Sequence, residues 1–405
     1  MDGPQIARAP AIEIVPVLAM ANRFGRYKPE EEKAVRKVEV VEDETLKRLK
    51  EAWKAFKYNK RARYSYKNAL AAVKPLNCSA SDVEKFSIAL VEFQNEKDFN
   101  EKAGFFLSAL INNGKSSHYV IVTAHLVVLP DNIGCKNTKR YISVEGPAGD
   151  SIGKLMKSGT IVVNGNAGHL IGSRMKGGTI TVEGNVGHRI GSRMKGGTIT
   201  VEGNAGEWVG EEMKGGIITV EGNAGDETAY GRNGVGYGME NGTIIVNGNA
   251  CKLVGSEMKS GIITVKGNVG VCVGEAMKGG TIIVDGDAGD VVGICMRGGS
   301  IIVKGNAGDD VGFDMIRGTI TVNGDAGDET GAGMKSGTIT VDGNAGDKVG
   351  ASMNGGIITV KGDVGIQCGK RMEGGEIHLE GDYEGIAPGI KDGKIYHKGK
   401  LIVDK

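Results

Sequence analysis

Short alternating patterns of apolar and polar residues recur along most of the chain. Runs such as GTITVEGN (178–185) and GIITVKGN (261–268) place an Ile, and the Val two positions later, on one side of an extended segment. The residue between them points to the other side. Glycines bound each run, and the apolar spacing typical of helices is missing from it. The pattern predicts short β-strands separated by glycine-rich turns.

Methionine shows the period of this pattern. From Met156 to Met372, twelve methionines recur at every nineteenth position, apart from one longer step between Met213 and Met239. A fixed period of about 20 residues is typical of a solenoid. Because each unit contains strands and turns, we predict a mainly β fold, a right-handed parallel β-helix of about twelve 19-residue coils. Successive coils should stack about 4.8 Å apart.

The repeat also predicts which positions form columns along the solenoid. Met, the strand Ile and Val, and the apolar residue four before Met should point inward, with a small residue after each Gly-Asn at a turn. A further column holds Asn or Asp, alternating between Asn268 and Asp363. We expect its side-chain amides to hydrogen-bond to one another up the stack. A row of acid catalysts is the alternative, but a feature repeated in every coil favours architecture.

The segment 1–140 lacks the period and predicts a different organisation. We expect a basic amphipathic helix from Thr45 to about Lys67, a second helix starting near Ser81 with the capping box SDVE, and a third from Asn100 to Gly114. The run HYVIVTAHLVVL then predicts a strand. The predicted division is an N-terminal α/β domain (1–140) that caps the solenoid, the β-helix (141–385) and a capping hairpin (386–405).

Charge does not point to nucleic acid or a membrane. The 405 residues include 50 basic and 49 acidic ones. The basic helix interleaves Lys and Arg with Trp53 and Phe56, a composition that can contact RNA. An acidic protein surface, or the solenoid of this chain, fits it better. The apolar run AIEIVPVLAM is too short to span a bilayer and a poor signal peptide, so we expect a soluble, cytoplasmic protein.

Two departures from the regular repeat are candidates for contact with a partner. The seven-residue insertion within 225–242 brings exposed Tyr and Arg to a region nearly free of aromatic residues, and such residues favour protein contact. The alternative is a tolerated loop. The predicted partner-contact residues are Tyr230, Arg232, Asn233 and Tyr237.

The second departure is a local run of basic residues. GHLIGSRMK and GHRIGSRMK stack His169 on His188 and Arg174 on Arg193. This stack is either an anion or partner site, or a solvated basic face left by a recent duplication of the repeat.

Sequence patterns for chemistry are weak. Six cysteines form no CxxC pair, so neither a metal site nor a disulfide framework is indicated. ALINNGKS (109–116) matches a loose phosphate-loop pattern, but a helix precedes it and a strand follows, the reverse of what nucleotide binding at Lys115 requires. We therefore assign no catalytic, cofactor-binding or metal-binding residues, and expect no cofactor.

The unit, seen for example in GEEMKGGIITVEGNAG, resembles the GXGXG β-helix family from about residue 145 to 385. That family includes the C-terminal domain of the glutamate synthase large subunit and the β-helix subunit of formylmethanofuran dehydrogenase, and the methionine-containing form is more similar to the dehydrogenase subunit. The resemblance implies a non-catalytic scaffold that packs against the catalytic subunits of a large oxidoreductase. The segment 1–140 resembles neither protein.

Two other classes of function are alternatives to the scaffold. A hexapeptide-type acyltransferase would need a six-residue subperiod and a catalytic His between coils, and the apolar spacing shows no such subperiod. A self-assembling structural protein built on a β-helix remains the alternative, so self-association of this chain stays open.

Overall fold

A computed structural model describes residues 42–225 and 234–405. Helices come first along the described chain, and strands follow from residue 118 onward. The helices are α1 (Glu44–Ala55), α2 (Ala62–Val73), α3 (Ala80–Ala89), a short 3₁₀ helix (Leu90–Phe93) and α4 (Phe99–Asn113). Among these residues, none of the helices combines the length and apolar character needed to cross a membrane.

The strands form one sheet in which the spatial order follows the chain order, β1 to β16. All neighbours from β1 to β15 pair in parallel, and β15 pairs with β16 antiparallel. The strands are β1 (His118–Val122), β2 (Tyr141–Glu145), β3 (Thr160–Val163), β4 (Thr179–Val182), β5 (Thr198–Val201), β6 (Ile217–Val220), β7 (Thr243–Val246), β8 (Ile262–Val265), β9 (Thr281–Val284), β10 (Ser300–Val303), β11 (Thr319–Val322), β12 (Thr338–Val341), β13 (Asn354–Val360), β14 (Glu373–Leu379), β15 (Asp392–His397) and β16 (Lys400–Asp404).

This topology confirms the predicted fold class, a mainly β parallel solenoid. From β1 to β13 each strand pairs with the next in strict register, so that Ile180 lies on Ile199 and Val182 on Val201, and the pairs from β13 to β16 each contain one register shift. These inward side chains and Met194 are fully buried, as predicted. Each coil therefore buries its apolar residues against those of the coils above and below.

The solenoid has about fourteen turns, two more than the methionine spacing predicts. Residue 137, which lies one repeat before Met156, is an asparagine. Asn137 is fully buried in the place of the methionine, and its amide donates to the carbonyl oxygen of Arg140 at 2.9 Å. The sheet also extends back to β1, inside the stretch predicted to be the N-terminal domain. The early coils were missed because they keep the stacking pattern without its methionine.

The predicted helix from Thr45 to about Lys67 is wrong in its extent, because two helices occupy this stretch. Phe56 ends α1 in an extended conformation. The side chain of Asn59 then accepts from the backbone N–H of Arg61 at 2.9 Å, and the Asn59 N–H donates to Ser65 at 2.8 Å. These local bonds replace the helical ones and turn the chain into α2.

The capping box of the next helix lies two residues before the predicted one. Ser79 is the N-cap, its hydroxyl accepts from the Asp82 N–H, and Asp82 accepts in return from the Ser79 N–H at 2.8 Å. Ser81 lies within the first turn instead. In SASD (79–82) the N-cap is Ser79 and the acidic residue three positions later is Asp82, where the predicted box SDVE has a Glu. The helix begins with SASD.

The third predicted helix is confirmed within one residue as α4, which lies on the first coil. One face of α4 repeats every four residues. From it, Asn100 donates to Asp131 at 2.7 Å, Ser108 to the carbonyl of Asn132 at 2.8 Å, and Asn112 to the carbonyl of Cys135 at 3.1 Å. Gly104 lies on the same face, between Asn100 and Ser108. A Cβ at Gly104 would lie 1.2 Å from the Asp131 carbonyl oxygen. The glycine lets helix and coil backbones come into contact.

The run HYVIVTAHLVVL is shorter as a strand than predicted. Pairing ends at Val122, after which the N–H groups of Thr123 and Ala124 both donate to the Glu145 carbonyl and turn the chain away from the sheet. At the other end, β15 and β16 form the antiparallel pair. The predicted division of the chain into three domains stays a prediction.

The Asn/Asp column is a hydrogen-bonded ladder, but of a different kind from the predicted one. Each side-chain Oδ1 accepts from the backbone N–H of the corresponding residue one coil later, as between Asn268 and Asp287 at 2.9 Å and between Asp287 and Asn306 at 2.7 Å. Asn and Asp are equivalent in this role because both offer an oxygen acceptor. The column is exposed, so carboxylates there need no amide neighbour.

Candidate interaction surface

The interior of the solenoid holds no candidate site among the described residues. The columns of Met, Ile and Val are fully buried along its length, from Ile152 and Met156 to Met372 and Ile377. Also among the described residues, no group of three or more His, Cys, Asp or Glu side chains is placed to hold a metal ion. Any recognition must therefore use the surface, and its most variable part is one face of each coil.

We call this the variable face, and it consists of the residues six, five, two and one positions before each methionine; those six and one before Met are exposed or partly exposed in the described coils, whereas several of the others are buried. Apart from Gly234, the described residues five and one before Met have a left-handed backbone with φ near +60°. Non-glycine residues occupy both positions in nearly every coil, for example Trp208 (φ 62°), Val291 (φ 67°) and Arg193 (φ 56°). The glycine-rich turns of the repeat predict glycine wherever the chain turns with positive φ, so this is a correction.

Left-handed backbone costs an ordinary residue about 1–2 kcal/mol. The solenoid offsets this cost with regular hydrogen bonds between coils. The N–H of Val291 donates to the Asp309 carbonyl at 2.7 Å, and that of Arg193 to the Glu211 carbonyl at 2.8 Å. Backbone strain held by the surrounding structure is a reason to look for function. Here it presents two columns of unlike side chains to the solvent.

The N-terminal end of the variable face is basic. Arg174 and Arg193, one before their methionines, border a shallow concavity of about 340 Å³ with the lysines that follow those methionines. The residues around it are Leu155, Arg174, Lys176, Arg193, Lys195 and Lys214. Arg193 contacts Glu212 at 2.7 Å and Lys214 contacts Glu240 at 2.9 Å, whereas Arg174, Lys176 and Lys195 make no ion pair with any described residue. The predicted stack of His169 on His188 is also present, with ring centroids 5.0 Å apart.

The coils of Met296, Met315 and Met334 make a later part of the same face acidic. The Asp column six before Met forms a second ladder, in which Asp290 accepts from the Asp309 N–H at 3.1 Å and Asp309 from the Asp328 N–H at 2.8 Å. Asp310 and Asp314 lie beside it. Partial burial raises the pKa of Asp310, and the nearby carboxylates of Glu329, Asp309 and Asp290 raise it further. Negative charge is thus crowded on these coils.

Only one of the four predicted contact residues of the insertion can be placed. Tyr230, Arg232 and Asn233 lie outside the described residues. Tyr237 lies on the variable face two before Met239, where its ring packs edge-on against Trp208 at 5.4 Å and its hydroxyl donates to Glu257 at 3.1 Å. The ring is therefore held against the solenoid and is half-buried.

A second cleft of about 210 Å³ lies where the helices meet the first coil. Tyr58, Glu101, Asp131 and Lys154 are among its lining residues. Burial raises the pKa of Asp131 to about 6, although hydrogen bonds from the Asp150 N–H and the Asn100 amide favour its charged form. The Asn100 bond ties α4 to the first coil and the Asp150 bond ties this coil to the next, so the role of the Asp131 carboxylate is structural.

The other sequence candidates are placed apart from these surfaces. Lys115 follows the end of α4 and precedes β1, the order that excludes a phosphate loop. The apolar face of the predicted basic helix is confirmed, since Leu46, Leu49, Trp53 and Phe56 are buried. Aromatic residues from this face therefore belong to the core of the helices.

The variable face as a unit was not predicted from the sequence. Its signal was present in the chain, because the residues five and one before Met differ from coil to coil in a repeat that is otherwise uniform. Variation inside a strict repeat marks positions that stacking does not constrain. Their common backbone conformation could be recognised only in three dimensions.

Together these features define a parallel β-solenoid with a filled interior and its variable chemistry on one face. Residues 179–306 match the family model described as the GXGXG motif, in agreement with the resemblance seen in the sequence. No curated protein matches the chain.

Proposed function

We propose that this chain is a non-catalytic, cytoplasmic scaffold subunit of a multi-subunit oxidoreductase. The GXGXG match supports the link to glutamate synthase-like proteins. The observation that carries the scaffold role is the interior, where one fully buried layer of Met, Ile and Val continues from coil to coil. Such an element is rigid and offers other proteins a long surface.

Partner contact is assigned to the 225–242 insertion and to the N-terminal helices, the parts that depart from the repeat. Tyr and Arg at an interface commonly act as hot spots worth at least about 2 kcal/mol each. Tyr237, held between Trp208 and Glu257, presents a pre-ordered ring beside the insertion. Pre-ordering lowers the entropic cost of binding.

The test is co-purification from native extract with a variant in which Tyr230, Arg232 and Tyr237 are all replaced by Ala. We expect the variant to remain folded, with a melting temperature lowered only by the loss of the Tyr237 contacts, and to lose catalytic redox subunits that the wild type recovers. The matched control replaces two tyrosines and one arginine outside the insertion and the N-terminal helices, Tyr141, Tyr396 and Arg317, and should recover those subunits.

Two results would contradict the proposal at different levels. Stoichiometric flavin, nucleotide or metal bound to the purified chain would overturn the scaffold role. If the insertion variant and its control recover the subunits equally, the insertion is not the contact site. The contact would then be assigned to α1 and α2.

The alternative function is a self-assembling structural protein. The separation of basic coils (those of Met175 and Met194) from acidic coils (those of Met315 and Met334) along the variable face favours it. Genes for redox subunits beside the gene for this chain would support the scaffold, and their absence would support self-assembly.

A further inference from the structure

We propose that the basic concavity at the start of the variable face binds a short acidic segment of a partner protein in an extended conformation. We call this concavity the basic groove, and its lining residues are Leu155, Arg174, Lys176, Arg193, Lys195 and Lys214. The proposal goes beyond the scaffold function, because it assigns a second contact surface and the charge of its partner. It does not require the partner to be a redox subunit.

Two columns of cations border the basic groove. The residues one before Met are Arg174 and Arg193, and the residues one after Met are Lys176, Lys195 and Lys214. All five side chains are exposed. Because successive coils lie about 4.8 Å apart, like charges in the same column repel one another. The groove therefore concentrates positive charge from both columns in one place.

Elsewhere on the solenoid, a carboxylate separates stacked cations. Lys266 and Lys304 lie two coils apart in one column. Asp285, on the coil between them, contacts both ammonium groups at 2.8 Å. Acidic residues between stacked cations are therefore compatible with the repeat.

The central cations of the basic groove have no such neighbour. Arg174, Lys176 and Lys195 make no ion pair with any residue of 42–225 or 234–405. A guanidinium presents its donors in a planar fork that can bind a carboxylate through two hydrogen bonds. Carboxylates from another molecule would neutralise these charges and reduce the repulsion along each column.

Contacts within the chain bound the basic groove at both ends. At its start, the ammonium group of Lys136 lies over the ring of Tyr66 in α2, 4.4 Å from the ring centroid. At its end, Lys214 contacts Glu240 at 2.9 Å, and Glu212 follows the arginines in the column one before Met. The unpaired positive charge is thus confined to a short stretch of the solenoid.

The length of the basic groove fits a short peptide. The groove extends from the coil of Met156 to the coil of Met213, three repeat steps apart, which is about 15 Å. An extended chain covers this distance in about four to five residues. The long side chains of Lys and Arg can adjust to the positions of the carboxylates on such a segment.

Single-stranded nucleic acid fits the basic groove less well. Proteins that bind it combine cations with aromatic side chains on which the bases stack. None of the described residues that line the groove is aromatic, and its one apolar lining residue, Leu155, is partly exposed. The groove therefore offers charge without a surface for bases, which favours an acidic peptide.

The repeat itself supplies substitutions that the fold tolerates. Glutamate occupies the position one after Met in Glu240 and Glu373. Lys176→Glu with Lys195→Glu therefore introduces a residue that this column already contains. The two changes replace attraction for an acidic peptide by repulsion, so they form the main test variant.

The matched control is Lys278→Glu with Lys335→Glu. Both lysines are exposed and lie in the same column as Lys176, one residue after Met. The residues one before Met on their coils are Ala276 and Gly333, so a second column of cations does not accompany them. The control has the same net charge as the main variant and leaves the basic groove unchanged.

The experiment measures the binding of a fluorescently labelled peptide of six glutamates to the full chain by fluorescence anisotropy at low salt. We expect the main variant to bind at least about 30-fold more weakly than the wild type. The control should bind like the wild type. A third variant, Arg174→Ala with Arg193→Ala, should weaken binding at least about 5-fold, because each arginine supplies a charged fork to a carboxylate.

Circular dichroism checks that the variants are folded, and the third variant tests the groove if the main variant is not. The proposal is overturned if the wild type does not bind the peptide at concentrations up to about 1 mM. It is also overturned if the control loses as much affinity as the main variant, because net charge then explains the binding. Tighter binding of a six-nucleotide uridine oligomer than of the peptide would contradict the assignment to an acidic segment. The recovery of redox subunits, which tests the scaffold function, is measured separately.

Discussion

The interior of the solenoid and its variable face follow opposite rules, although both are built from the same repeat. Inside, every coil presents the same few side chains, because Ile199 packs on its own counterparts Ile180 and Ile218. On the face, residues as different as Trp208 and Asp310 share one backbone conformation. The comparison shows that space, rather than backbone angle, decides where this repeat needs a fixed residue.

Two glycines with similar backbone angles show that the available space decides where glycine is required. Gly274 and Gly238 have similar positive φ values, 70° and 61°. A Cβ on Gly274 would lie 2.4 Å from the Cδ1 of Ile301, whereas a Cβ on Gly238 would meet only the Cγ of Glu212 at 3.7 Å. Other coils accept non-glycine residues at the position of Gly238, and none of the described coils from Met156 to Met372 does so at that of Gly274.

The largest effect should come from the interior itself. Met258→Ala removes a fully buried side chain and leaves a cavity between coils, so we expect a loss of about 2–5 kcal/mol in the free energy of unfolding. Lys259→Ala, one residue later, removes an exposed ion pair with Glu240 and should cost no more than about 1 kcal/mol. Chemical denaturation measures both, and equal losses would contradict the assignment of inside and outside.

A smaller difference should separate the two glycines. Gly274→Ala and Gly238→Ala both place a methyl group on left-handed backbone, but only the first forces the core to move. Overpacking typically costs about 1–3 kcal/mol, and we expect Gly274→Ala to be less stable than Gly238→Ala by this amount. Thermal unfolding of the two variants tests it. Similar melting temperatures would mean that φ alone sets the preference for glycine.

The exposed ladder should contribute less than the interior. Asn306→Leu removes the acceptor of the Asp325 N–H, a bond of 2.9 Å, and we expect a loss of about 0.5–1.5 kcal/mol. Asn306→Asp keeps an oxygen at the same place and should cost less, as Asp287 and Asp325 already perform this role. Urea denaturation of the pair distinguishes them. If Asp is as harmful as Leu, the side-chain amide has a role beyond accepting one bond.

The smallest effect concerns the acidic end of the variable face. Burial and neighbouring carboxylates raise the pKa of Asp310, so the folded chain keeps this proton at pH values where the unfolded chain has released it. Its contribution to the free energy of unfolding is complete below the unfolded pKa and is lost as pH rises through the folded pKa. Asp310→Asn should therefore flatten the decline of stability with rising pH in the weakly acidic range.

Asp285 provides the opposite control for this titration. Lys266 and Lys304 lower its pKa, so its contribution is present above the unfolded pKa and is lost as pH falls. Asp285→Asn should flatten the decline on the acid side instead. Melting temperatures recorded across the acidic range compare the two variants, and identical profiles would contradict the assignment of the two pKa shifts.

Much of the fold followed from local patterns. The alternation around Ile180 and Val182 predicted strands, and the methionine interval predicted the length of each coil. Other features depended on side chains without a regular pattern. One coil has Asn137 in the place of the methionine, so the methionine period did not predict it. The hydrogen bond between Asn59 and Ser65 helps to divide one predicted helix into two.

By itself, the sequence determined that this chain stacks a 19-residue unit many times, since no single coil can bury its own apolar residues. Only the tertiary structure decided what the stack presents to other molecules. Residues such as Arg193 and Asp314 are far apart in sequence and share no motif, and they fall in one column because the intervening coils stack in register. The positive φ of that column, the α4 contact at Gly104 and the grouping of acidic residues on neighbouring coils all arise from contacts between coils or elements, which a local pattern of residues does not contain.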